Sequence, residues 1–281
     1  TTSGTVTIAR NGDLLSNLFV TSSTASIEDG DDIVSEVELE IGGQRIDKHY
    51  KEWNQIWAEL STPESKAAGY KAMTGALSNA NSTTGTNGVN MVQIPLNFWF
   101  CRNPGLALPL IALQYHEVKV NLTFNTAAAS GGNSTFGTAQ LWADYIYLDT
   151  DERRRFAQVS HEYLIEQVQY ASIGTADTTV KLNFNHPVKE LIWTSGTTNY
   201  GNAKLVLNGH DRFSAQDNEY FQLRQPIDYH TAVPKQNLPS AAQLSTLDRQ
   251  TTLSLPATEN MGESWLARYT SEISNANNNA V

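Results

Sequence analysis

Two dipeptides in this chain, His116-Glu117 and His161-Glu162, carry residue types found in metalloprotease sites, where a histidine binds zinc and the adjacent glutamate acts as general base. That chemistry needs a second histidine one helical turn later, so that two imidazoles reach one ion. Val120 and Ile165 stand there, and neither pair completes a zinc site. His116 shares the apolar face of an alternating run with Val118, so a hydrogen-bonded core histidine is expected, and Glu117 points to the opposite face. His49, His186, His210 and His230 are scattered through strand-edge and turn contexts. The acidic run Glu28-Asp29-Gly30-Asp31-Asp32 lacks the spacing and distant glutamate of a calcium loop and reads as a solvated turn. The one cysteine, Cys101, excludes an intrachain disulfide and a multi-cysteine metal site; between Phe100 and Arg102 it reads as a packed thiol. No Gly-x-Ser-x-Gly elbow occurs, Gly42-Gly43 and Gly131-Gly132 lack the following helix that cradles phosphate, and no carboxylate pair stands out for glycoside hydrolysis. The expectation is a protein with no catalytic residue, no cofactor and no metal.

The elements that carry these residues follow a period of two. In EVELEI, Glu36, Glu38 and Glu40 alternate with Val37, Leu39 and Ile41 before Gly42-Gly43, the pattern of a half-buried strand entering a turn. Val118, Val120, Leu122 and Phe124 repeat the alternation, as do Val180, Leu182 and Phe184. Further strands are expected from Thr5, Leu14, Met91, Leu141, Tyr163, Glu190, Lys204 and Thr251. A dozen or so short strands spread over the chain point to antiparallel sandwiches. Helical signals are local: Tyr50, Trp53, Ile56, Trp57 and Leu60 form one apolar stripe, and Ser61-Thr62-Pro63-Glu64 opens a second helix towards Met73. The six tryptophans are expected mostly in the core.

With 281 residues the chain can bury one large core or two ordinary ones. Its net charge of −10, from 29 acidic and 19 basic residues, argues against a surface for nucleic acid, which needs clustered Lys and Arg. No window reaches the 18 apolar residues of a membrane-spanning helix. The stretches Ser78 to Asn90 and Ala127 to Thr138 have the polar, Gly- and Asn-rich composition of long loops. The charged patch Asp149 to Gln158 separates two strand-rich halves, giving domains 1–157 and 158–281. Three triplets make Asn81, Asn133 and Asn121 candidate glycosylation acceptors; the first two fall in the long loops and the third in a strand.

Several longer segments carry a resemblance. VELEIGGQRIDKHY (Val37 to Tyr50), NPGLALPLIALQYHEVKV (Asn103 to Val120), DYIYLDTDERRRFAQ (Asp144 to Gln158), HEYLIEQVQ (His161 to Gln169), LNFNHPVKEL (Leu182 to Leu191) and LVLNGHDRF (Leu205 to Phe213) resemble, in order, the major capsid proteins of nucleocytoplasmic large DNA viruses, chlorovirus-like members above all. The resemblance implies an all-β double jelly roll: two eight-stranded antiparallel sandwiches in one chain, with short helices in inter-strand insertions. It implies a homotrimer that forms a pseudo-hexagonal capsomer, tiles an icosahedral shell, and meets neighbouring capsomers and minor capsid proteins. It also implies only indirect association with an internal membrane, no direct nucleic-acid partner, and a place in the virion after assembly in the host cell, in the cytoplasm. Family members are longer. Against that pattern the sequence shows no N-terminal arm before its first strand, and after His230 it runs from HTAVPKQN to LPSAAQLSTLDRQTTLSL without the usual intervening strand; the expectation is a second jelly roll abbreviated or partly missing, from the natural protein or only from this chain. The alternative from the residues alone is a carbohydrate-binding or carbohydrate-active β-sandwich, which shares the strand-rich, Asn- and Thr-rich composition.

Overall fold

The computed structural model describes residues 3–24, 33–74, 91–125, 136–173, 179–194 and 201–234. The chain divides into two compact units, one formed by Thr1–Trp57 with Gly69–Gly196 and the other by Ala58–Ala68 with Thr197–Val281.

In the first unit the period-two runs become two antiparallel sheets. One contains β1 (Ser3–Thr7), β3 (Val34–Ile41), β4 (Gln44–Tyr50) and β7 (Val118–Phe124) in the spatial order β1-β7-β3-β4. In the other, β2 (Leu14–Thr24) lies between β5 (Met91–Pro95) on one side and β8 (Phe136–Ile146) on the other, with the two-residue β6 (Leu108–Pro109) pairing the start of β2. Register follows burial. Val37 pairs with Leu122 and Leu39 with Val120, which puts four aliphatic side chains on one face, all nearly inaccessible. Leu18, Val20 and Ile94 meet them from the second sheet, and Phe98, Phe100 and Leu110 close the same core. On the outer face of the first sheet Glu36 and Glu38 pair with Lys48 at 2.8 and 3.3 Å.

Strand β4 was hidden from the apolar pattern. Its inward positions are Asp47 and His49, so a strand with a polar buried face replaced the aliphatic alternation that marks its neighbours. Gly42 and Gly43 form the β3–β4 turn at φ +60° and +83°, left-handed values that glycine adopts without the clash a Cβ would bring. Helices α1 (Lys51–Ser61) and α2 (Glu64–Thr74) occupy the long β4–β5 connection, as the stripe and the Pro63 signal predicted. The charged patch is itself helical, α3 (Thr150–Gln158), with Asp151 and Glu152 in its first turn and Arg155 in its last, an order that suits the helix dipole.

Past α3 the expected strands from Tyr163, Val180 and Glu190 make no ladder among the described residues. Alternation specifies a face to bury but not a pairing partner, and here the backbone bonds run to side chains instead. Gln169 exchanges hydrogen bonds with the backbone of Asn185 (3.1 and 3.0 Å), while Leu164 and Leu182 stay exposed. In the second unit, β10 (Val206–Leu207) and β11 (His210–Asp211) form a hairpin about Asn208 and Gly209, both at positive φ. There too β9 (Asn202–Ala203) pairs with β12 (Gln216–Asp217), and α4 (Gln225–Tyr229) precedes Ala232, whose N–H donates to the Leu60 carbonyl at 3.0 Å. The strand expected from Thr251 lies outside the described residues.

Candidate functional site

The strongest catalytic-looking geometry is one that sequence reading passed over. Asp47 and His49 stand at i and i+2 on one strand, which places both side chains on the inward face. Both are 1% accessible, with Nε2 of His49 2.7 Å from Oδ2 of Asp47. The imidazole stacks on Phe98, ring centroids 4.6 Å apart. Oδ1 of Asp47 accepts the N–H groups of Lys48 and Val168 at 2.9 and 3.0 Å. A dyad enclosed in this way has no face open to a substrate. Its work is to fasten β4 to the segment around Val168, and the Gln167 side chain, which donates to the Ile46 carbonyl, repeats the attachment one residue along.

A second polar knot lies on the same segment. Glu166 accepts from both Arg102 and Lys189, and the Arg102 guanidinium lies over the Trp57 ring at 4.0 Å. Burial pushes the Glu166 carboxyl up, but hydrogen bonding to Lys189 and the charges of Arg102 and Lys189 outweigh it and hold the group below the usual carboxylate range. Asp13, at the start of β2, is likewise held low, first by the N–H of Leu148 (2.8 Å) and then by Arg153 of α3 (2.9 Å). These groups are tied to structure and do not face a reaction centre.

His116 is exposed, which overturns its expected place in the core. β7 begins at Val118, so His116 ends the preceding turn and lies over Gly42, while Arg10 binds the carbonyls of Leu113, Gln114 and His116 and fixes that turn. Glu117 is exposed beside Lys119, 3.0 Å away. His161 is also exposed, its Nε2 2.7 Å from the Phe156 carbonyl. Burial pushes the Cys101 thiol up to about 12, so it stays protonated and inert, as a packed thiol should. Trp99 is buried and Trp53 and Trp57 are half-buried, whereas Trp142 and Trp193, 58% and 38% exposed, depart from the expected core position; Trp265 is outside the described residues. Trp142 stands outward on the sheet face of β8, its Nε1 donating to Thr21 at 3.1 Å. Among the described residues no group of three or more His, Cys, Asp or Glu is placed to hold a metal ion, and no helix is long and apolar enough to cross a membrane. Asn121 lies half-buried on the outer face of β7, its amide 3.5 Å from Glu40; Asn81, Asn133 and the acidic run at 28–32 fall outside the described residues.

A sandwich whose buried or paired carboxylates Asp13, Asp47 and Glu166 fasten one segment to another matches what comparison finds. The family model for the major capsid protein N-terminus matches residues 1–149, and that for the large eukaryotic DNA virus major capsid protein matches residues 152–204. This chain belongs to the major capsid protein family of large eukaryotic DNA viruses. It is 53% identical over 251 residues to the major capsid protein of Pyramimonas orientalis virus, covering 82% of this chain and 63% of that one. With the major capsid protein of Paramecium bursaria Chlorella virus 1 it shares 36% identity over 284 residues, 78% of this chain and 64% of the relative. The chain thus spans a little under two thirds of the length of these relatives. The quasi-atomic model of that Chlorella virus capsid superposes with a TM-score of 0.66 at 31% identity, over 83% of this chain and 71% of the other. The fold is the all-β double jelly roll, and the family is one of capsid proteins, not of enzymes.

Proposed function

We propose that the chain is the structural subunit of a virus shell: three copies close into a pseudo-hexagonal capsomer, and capsomers tile an icosahedral capsid in the virion. Residues 1–157 contribute the first jelly roll and 158–281 the second, in abbreviated or partial form. The observation that carries the reading is the family match, which runs through both models from residue 1 to residue 204. The geometry supports it, because a rigid sandwich with an enclosed dyad suits a tile. Closed rotational symmetry then gives each copy the same two contacts. Partners are further copies, neighbouring capsomers and minor capsid proteins; an internal membrane is met only indirectly and nucleic acid not at all, in keeping with the acidic charge. Assembly takes place in the cytoplasm of the infected cell. Asn81, Asn133 and Asn121 are the positions where such a shell protein could carry sugar, and intact-mass measurement on virion material tests them. Trimer formation is tested by native mass. A stable three-copy species supports the proposal, and a monomer at every concentration contradicts it.

A further inference from the structure

Residues 163–170 run beside the first sandwich and, among the described residues, enter neither of its sheets; polar contacts hold them there. Tyr163 Oη donates to the Ala107 carbonyl (3.4 Å), and Glu166 accepts from Arg102. The Gln167 amide donates to the Ile46 carbonyl, and the Val168 N–H donates to Oδ1 of Asp47 (3.0 Å). Tyr170 meets Tyr50 with ring centroids 5.2 Å apart. The run is also tied to a later one, since Glu166 accepts from Lys189 and Gln169 exchanges two hydrogen bonds with the backbone of Asn185. All of these residues belong to the first unit.

Burial contributes little to this attachment. Tyr163, Leu164, Ile165, Gln167, Gln169 and Tyr170 are exposed, and Glu166 and Val168 are half-buried. A segment with no ladder and few buried apolar side chains sits at the low end of local stability, so its hold depends on the charges. They converge on Glu166. Arg102 reaches it from the turn at 99–106, its side chain 20% accessible and lying over Trp57, with Nε lacking a hydrogen-bond partner among the described residues. Lys189 reaches it from the later run and is 74% accessible. Neutralising the carboxyl therefore affects the two cations unequally. Lys189 turns into water, but Arg102 keeps a largely buried charge with no anion; water must enter to solvate it, and the contacts one and two residues along, at Gln167 and Val168, give way. The other charged groups nearby are committed elsewhere: Asp47 to His49 and to the N–H groups of Lys48 and Val168, and the Lys48 ammonium to Glu36 and Glu38 on the outer face. Glu162 is exposed, and the remaining titratable groups along the contact are the phenols of Tyr50, Tyr163 and Tyr170 and the thiol of Cys101.

We propose that residues 163–170 form an acid-released strap: with Glu166 ionised they are clamped to β4 and to the turn at 99–106, and with Glu166 neutral they detach while both sheets of the sandwich stay folded. The direction follows from the carboxyl. Burial raises it, but the hydrogen bond from Lys189 and the charges of Arg102 and Lys189 hold it below its ordinary value of 4.5 in the clamped form. The clamp is thus at full strength above 4.5 and is lost as pH falls through the lower, clamped value. The device lies within the first unit and does not depend on assembly.

The test is hydrogen exchange on the 281-residue chain from about pH 7 to about pH 3.5, with rates corrected for the intrinsic pH dependence of exchange. Protection of the Val168 amide should fall about tenfold or more over that range, while the amides of β3 and β7 stay protected. Glu166→Gln should show the lowered Val168 protection already at neutral pH, with no further loss on acidification. Lys189→Met, at an exposed site, should leave the strap clamped at neutral pH and move its release to higher pH, because one of the two cations that hold the carboxyl low is gone. The wild-type titration and Lys189→Met decide the question even where Glu166→Gln does not fold. Three results overturn the proposal: Val168 and the β3 and β7 amides losing protection together, which is global acid unfolding; a Glu166→Gln chain whose Val168 amide stays protected at neutral pH or keeps the wild-type acid response; or a release that Lys189→Met does not shift.

Discussion

Asp47 is the residue on which the first unit's attachment turns. It is buried, faces His49, and holds the N–H groups of Lys48 and Val168 through one oxygen. Breaking a buried polar pair leaves the remaining partners desolvated and unsatisfied, so Asp47→Ala should cost about 3 kcal/mol in chemical denaturation, and Asp47→Asn less. A loss under about 1 kcal/mol would show the pair to be incidental. Asp13 and Glu166 govern the response to acid. Both carboxyls sit below their ordinary values of 3.8 and 4.5 in the folded chain, so their stabilisation is fully present above those values and is lost as pH falls through the lower folded-state ones. Thermal stability should therefore drop on acidification below about pH 4, and the double variant Asp13→Asn, Glu166→Gln should flatten that slope while lowering stability at neutral pH. Sequence reading could not find this layer. Asp47, Glu166 and Arg102 are far apart in the chain, and polar residues at single positions carry no periodic signal that would bring them together.

At the scale of elements, the β3–β4 hairpin depends on Gly42, where positive φ combines with a tight approach. A Cβ there would lie 2.7 Å from Nδ1 of His116. Gly42→Ala should thus cost 1 kcal/mol or more, about what a strained left-handed alanine loses, and Gly43→Ala, which meets no atom within 4 Å, should cost only the backbone part. Equal losses at the two positions would remove the role given to His116. Strands β2, β3, β5 and β7 were legible because each buries one aliphatic face, β1 and β8 because the same alternation leaves one face half-buried, and helix α1 because its stripe repeats at helical spacing. β4 was not, since its inward face is Asp47 and His49, and His116 was misplaced because alternation continues on paper through a turn that ends the strand. The later strand patterns identify faces such as Leu164 and Leu182 that remain exposed, and periodicity cannot name the strand that would cover them.

For the whole molecule, the long ordered segments from Val37 to Phe213 were more informative than any spacing rule, because a family resemblance integrates turns, polar anchors and core positions at once. They pointed to the double jelly roll, and the family models, identity and superposition agree. The candidate site was legible mainly as an exclusion: the failed zinc spacing at Val120 and Ile165 and the lone Cys101 are visible in the chain, whereas the enclosed dyad needed the fold. Assembly remains the property on which the functional account stands. The most direct measurement is native mass by light scattering across a range of concentrations. The account predicts a stable species near 93 kDa, three times the 31.0 kDa subunit. A species that stays at 31.0 kDa throughout would contradict it.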